Sequence, residues 1–161
     1  MSGGVLRSYT GSDTSLSVPA TIDGQSVTAI GSEAFAQSQS LRTLQLPDTV
    51  TQIGQLAFSD CTSLQSVQLP SSLQSIGIGA FSGCTSLTSA VIPDGATTIG
   101  DDAFSGCTAL REVTIPSSVR EIGIGVFDGC TGLTIRCAEH SAAQTYAQTH
   151  GITYQLSGGN G

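Results

Sequence analysis

A mainly β, right-handed solenoid of about five 23-residue coils, with short turns and 3-10 pieces between its strands, is the fold the sequence predicts. Three observations predict it. Phe recurs at Phe35, Phe58, Phe81, Phe104 and Phe127, always 23 residues apart, and Ile30, Gly31 and Leu41 each start a series with the same step. A repeat of roughly 20 to 50 residues marks stacked units, and the short end of that range leaves room for one coil per unit. Within each repeat a short apolar/polar alternation runs into a proline, as in Val67-Gln68-Leu69-Pro70. Aromatic residues make up only 5% of the chain and Trp is absent, which suits a thin layered core of Leu, Ile, Val, Ala and Phe.

The repeat unit justifies its own elements. Leu44/Leu46, Val67/Leu69 and Val113/Ile115 alternate with polar residues, a period of two that predicts a strand with one buried face. Pro47, Pro70, Pro93 and Pro116 follow and have no N–H to donate, so they end the strand. The Ile-Gly pairs predict a second short extended piece. The Ala-Phe pairs place a ring inward, and Asp60, Gly83, Gly106 and Asp128-Gly129 are turn residues. One coil buries too little apolar surface to offset the ordering of its residues, so coils hold only by stacking.

Residues 1–156 read as a single domain. Residues 1–29 form an N-terminal cap and first coil, 30–132 the regular repeats, 133–156 a C-terminal cap and 157–161 a flexible tail. Val5-Leu6-Arg7-Ser8-Tyr9 predicts a strand, and Leu16-Ser17-Val18-Pro19 repeats the strand-proline element. Asp23-Gly24 between apolar residues predicts a hairpin that caps the open first coil. In the last coil Ile135 comes one residue early, so the regular stack is ending. Ser141 to Thr149 predicts a helix with a Ser141/Gln144 capping box and Gly151 as its stop, and Ile152–Leu156 a closing strand.

Charge and composition exclude several functions. The net charge is −7 and all five cations are Arg, so no basic stripe exists for nucleic acid or an anionic membrane. No apolar run approaches the roughly 18 residues of a membrane span, so no membrane insertion is expected. Met1-Ser2-Gly3-Gly4 looks like the start of a trimmed chain, so the lack of a signal peptide says nothing about export. Cys61, Cys84, Cys107 and Cys130 keep the 23-residue step, with Ser38 in their place in the first coil. Their spacing matches no zinc motif, and neighbours on parallel ladders are poorly placed for disulfides, so they read as buried free thiols.

These motifs resemble the BspA-type, or treponemal-type, leucine-rich repeat. The resemblance is carried by the Leu-Pro-x-x-Val/Leu-x-x-Ile-Gly-x-x-Ala-Phe-x-x-Cys unit and the closing Ser-Ala-Ala-x-x-Tyr-Ala-x-x-x-Gly-Ile-Thr-Tyr, over roughly residues 16–156. It departs from the commonest leucine-rich pattern, since Thr49, Ser72, Gly95 and Ser118 replace the usual Asn or Cys. It implies a leucine-rich repeat solenoid from a secreted or cell-surface bacterial protein and a role in adhesion. It transfers no site residue.

The candidate partner-binding face is the row of outward strand positions Thr43, Gln45, Ser66, Gln68, Ser89, Val91, Glu112 and Thr114, expected on one sheet surface without an aromatic or Arg anchor. A protein or glycan is the expected partner, with monomer and self-association both open. The rival reading is a structural spacer or self-assembling surface or filament unit with no specific ligand. Gln, Val and Glu interrupt the Thr array that an ice-binding face needs. No catalytic residue, cofactor or metal ligand is expected. His140 and His150 read as helix-end partners and Asp101-Asp102 as solvated. No nucleophile elbow, phosphate loop or nucleotide fingerprint is present. Ile78 and Ile124, with Leu56 beside their row, suggest an apolar stripe at one turn.

Overall fold

The computed structural model describes residues 1–158. Its elements in chain order are β1 (Val5–Leu6), β2 (Ser15–Ser17), β3 (Thr21–Ile22), β4 (Gln25–Ser26), β5 (Ala29–Ile30), β6 (Thr43–Gln45), β7 (Gln52–Ile53), β8 (Ser66–Gln68), β9 (Ser75–Ile76), β10 (Ser89–Val91), β11 (Thr98–Ile99), β12 (Glu112–Ile115), β13 (Glu121–Ile122), β14 (Thr134–Cys137), α1 (Ala142–His150) and β15 (Thr153–Leu156). Each coil contributes one strand to each of two parallel walls. The Ile-Gly strands form a six-stranded sheet in the order β1-β5-β7-β9-β11-β13. The Leu-Pro strands form a second wall of seven layers, split into β2-β6-β8 and β10-β12-β14-β15. The sequence predicts about five coils. The count rises because the first residues supply their own layer to each wall, and β15 adds one beyond the last coil.

Apolar columns fill the space between the walls. Ile30, Ile53, Ile76 and Ile99 point inward from one wall and are at most 2% exposed. The five Phe rings form a stack, with centroids 5.0 to 5.7 Å apart between neighbours. Tyr9 stacks on Phe35 at one end, 4.9 Å away. Tyr146 meets Phe127 edge-on at the other, at 75°, and so ends the row. Each offset pair adds roughly 0.5–1.5 kcal/mol beyond the area it buries.

Glycine at the Ile-Gly step has a steric cause. A Cβ on Gly77 would lie 2.7 Å from the Gly54 carbonyl carbon and 2.8 Å from the Gln55 nitrogen. Only a residue without a Cβ lets the coils close to ladder distance.

The caps follow the sequence with two refinements. The Asp23-Gly24 hairpin is present, both residues having positive φ (51° and 74°), and its strands pair only with each other. The edge of the Ile-Gly wall is covered by β1, whose Val5 and Leu6 pair with Ala29 and Ile30. At the far end Ser141 caps α1 by accepting a hydrogen bond from the Gln144 N–H at 3.2 Å. The Gln144 side chain reaches back one residue further than a capping box requires and accepts from the His140 N–H at 2.7 Å. Gly151 ends the helix at φ 65°. The one-residue slip is real: Val113 pairs with Ile135, and Ile135 with Tyr154. Ser157 N–H extends that ladder to the Cys137 carbonyl at 2.8 Å, and the expected tail beyond Gly158 lies outside the described residues.

Candidate functional site

The outward positions of the Leu-Pro wall form two columns. Thr43, Ser66, Ser89 and Glu112 make one, and Gln45, Gln68, Val91 and Thr114 the other. All eight candidates from the sequence point away from the core. Six are exposed, whereas Glu112 and Thr114 are half-buried. They do not share one sheet. The ladder is broken between Gln68 and Ser89, so four lie on the three-stranded sheet and four on the four-stranded one.

Ala90 lies at the break, although its own ladder to Val113 is intact. Ala90 occupies the inward position that Leu44 and Val113 hold in other coils. On either side of the break, Leu46 N–H reaches the Gln68 carbonyl at 3.3 Å and Ile92 N–H the Thr114 carbonyl at 2.9 Å. Among the described residues Leu69 N–H makes no such backbone bond. Val67 and Leu69 are accordingly half-buried, although their pattern predicts burial.

A shallow groove of about 610 Å³ opens over this break. Val67, Leu69, Pro47 and Pro93 give it an apolar floor and flank, Gln45 and Gln68 bring amides, and Val91 stands at its edge, 63% exposed. Asp48 lies beside it and accepts from both the N–H and the hydroxyl of Ser71 at 3.2 Å.

The sequence reading missed one member of this face. The slip in the last coil brings Arg136 into register beside Thr114, where its Nε donates to Glu112 at 2.8 Å. The face therefore carries an Arg after all. Its signal was the early Ile135, whose effect on the next side chain requires the pairing register to see.

The remaining candidates have structural roles. Asp101 accepts from the Ile124 N–H at 2.8 Å and so bridges two coils, where solvation was expected. Ile78 and Ile124 are exposed but separated by Asp101 in the same row, and no continuous stripe forms. His150 stacks on Tyr146 at 3.9 Å, and its Nδ1 lies 2.9 Å from the Tyr146 carbonyl oxygen. His140 lies at the start of the helix, 3.9 Å from a Glu139 carboxylate oxygen. The five cysteines are buried and free. Cys61, Cys84, Cys107 and Cys130 each donate to the Phe carbonyl 26 residues earlier, at 3.1 or 3.2 Å. Burial pushes the Cys61 and Cys130 thiols up to about 11 and Cys107 up to about 12, and raises Cys84 as well. Such thiols are poor nucleophiles and poor metal ligands. Among the described residues no three His, Cys, Asp or Glu side chains converge as a metal site. Among the described residues no helix is long and apolar enough to cross a membrane.

Two parallel walls enclosing columns of Leu, Ile and Phe define a leucine-rich repeat solenoid, a class whose chemistry lies in the surface its coils display. The sequence matches the BspA type leucine rich repeat region in six copies over residues 9–134, and the chain belongs to that family. No curated protein matches it. Among solved structures it is similar to a leucine rich repeat protein of T. pallidum, with 39% identity and a TM-score of 0.80 over 82% of this chain and 62% of that one. It is also similar to a leucine rich cell surface protein of Faecalibacterium prausnitzii, with 36% identity and a TM-score of 0.74 over 91% of this chain and 36% of that one. The pneumococcal vaccine antigen PcpA shares the fold at 19% identity and a TM-score of 0.69, over 91% of this chain and 42% of that one. The chain thus spans less than two thirds of the length of these proteins.

Proposed function

We propose that the chain is a non-catalytic binding module of a secreted or cell-surface bacterial protein, and that it holds a protein partner through the groove over Val67, Leu69 and Val91. The observation that carries this reading is the local exposure of apolar side chains in an otherwise polar wall. Six outward candidates beside or along that groove are exposed, and the neighbouring coils bury their inward residues. Apolar side chains gathered in a groove with polar groups at its rim are a common feature of binding surfaces. The similar F. prausnitzii protein is a cell surface protein, which supports the location.

The test is a panel of extracellular matrix proteins and glycans presented to the immobilised chain, with Val91→Arg and Gln68→Arg as variants. A protein from the panel should bind, and both substitutions should weaken it about tenfold or more, since each sets a bulky charge against the groove. Equal binding by both variants and the parent chain would place the contact elsewhere. The rival reading is an assembly unit. It draws on the free edge of β15, which carries no charge and leaves Leu156 46% exposed. Concentration-dependent sedimentation of the isolated chain would favour it.

A further inference from the structure

The Ile-Gly wall has an outward face of its own, and a groove of about 440 Å³ crosses its N-terminal end. Val5, Arg7, Ala29, Ser32, Gln52 and Ser75 are its principal walls, with Gly31 and Gly54 as its floor. The pairing explains the arrangement. Leu6 pairs with Ile30, which sets Arg7 at the level of Gly31. In later coils a side chain at this level would strike the backbone of the preceding coil. Arg7 follows β1, which heads the described Ile-Gly wall, so a long side chain at this level meets no coil backbone there as it would further along that column.

The glycines have a packing role, and it is the charge that points to a ligand. Arg7 is exposed, and among the described residues no carboxylate lies within ion-pair distance of it. The chain as a whole carries −7, and three further grooves bring Asp48, Asp94, and Asp128 with His150 to the surface. We propose that this groove takes an extended peptide segment with a carboxylate seated on the Arg7 guanidinium. The planar fork matches a carboxylate with two parallel hydrogen bonds. The Gln52 amide offers the donor and acceptor that a peptide bond needs, and Val5 and Ala29 give an apolar flank. No aromatic ring lines the groove, which favours a peptide over a sugar that would stack on one. From Val5 through Ala29 and Gln52 to Ser75 is three ladder steps, about 14 Å, or about four extended residues. This site lies on the opposite wall from the groove over Val91 and stands independently of it.

The experiment is a titration of the isotope-labelled chain, followed by amide chemical shifts, with a C-terminally amidated tetrapeptide ending in Glu and its twin ending in Gln. Saturable shifts are expected at the Ser32, Gly54 and Ser75 amides. The Gln twin, and the variant Arg7→Gln, should each bind about fivefold or more weakly. Raising the salt to about 1 M should weaken the Glu peptide in the same direction. Ser75→Tyr, which fills the groove from its other end, should also abolish the shifts, and unchanged melting of both variants would show that they fold. Equal affinity for the two peptides, equal affinity of Arg7→Gln and the parent chain, or shifts that map to the Leu-Pro wall would overturn the proposal. Tighter binding of a uronic acid tetramer at the same amides would overturn the assignment to a peptide.

Discussion

Phe58 and Phe81 lie face to face, their ring centroids 5.1 Å apart and their planes 8° from parallel. Each ring belongs to a different coil and neither is exposed. The stack is therefore a contact between coils, and loss of the Phe81 ring removes stability from two interfaces together.

Phe81→Ala should cost about 3–5 kcal/mol, the range for truncating a buried aromatic ring. The ring packs between Phe58 and Phe104, so the cavity has close-packed neighbours on both sides. Gln68→Ala, on the exposed face, should change stability by about 0.5 kcal/mol or less. Urea denaturation followed by far-UV circular dichroism separates the two. Similar midpoints would contradict the inward and outward assignment.

Gly77→Ala should be more damaging than Gly24→Ala. The first places a Cβ 2.7 Å from the backbone of the preceding coil, and the second points it into open space. Crowding in a packed interior costs about 1–3 kcal/mol. Gly24 has φ 74°, so its substitution carries only the left-handed conformational cost of about 1–2 kcal/mol. Thermal melts of both variants test the order. A smaller effect at Gly77 would mean that the coils can separate locally without loss.

The fold was legible because its determinants are periodic. The steps at Phe, Ile and Gly fix which side chain lies above which, and the columns between the walls follow from that register. Ser141 and Gly151 ended the helix as their residue types require. The groove was not legible, because it arises from a departure from the period. Ala90 still fits the apolar pattern, and nothing in that pattern marks Val67 and Leu69 as partly uncovered. Arg136 was missed for a related reason: a slip of one residue sends the next side chain to the other face of a strand. The coil count fell short because β1 and β15 add layers whose sequences lack the repeat's Gly and Pro signals.

Ser141→Ala should destabilise the chain by about 1 kcal/mol. Its hydroxyl accepts from the Gln144 N–H at 3.2 Å and donates to the Ala138 carbonyl at 2.7 Å. The residue is buried, so water does not readily replace either bond. Hydrogen exchange should quicken first in α1 and β15 and leave the central coils protected. Uniform quickening through all coils would show that the cap and the stack unfold as one unit.

The thiol row makes stability depend on pH on the alkaline side. The folded thiols titrate above their ordinary value of about 9, because burial disfavours the thiolate. Below about pH 9 both folded and unfolded chains hold these protons, and the stabilising contribution is complete. As the pH rises further the unfolded chain loses them first. Stability should therefore fall from about pH 9 through about 11 for Cys61 and Cys130 and about 12 for Cys107. Urea midpoints at pH 7.5 and pH 10 measure this, and a Cys84→Ala, Cys107→Ala double variant should show a shallower loss. Alkylation gives the companion readout. Cys130, 8% exposed, should react with iodoacetamide before Cys84 and Cys107, which are fully covered. Labelling of Cys84 as fast as Cys130 at pH 8 would mean that the central coils open as readily as the last one, which the stacked Phe column forbids.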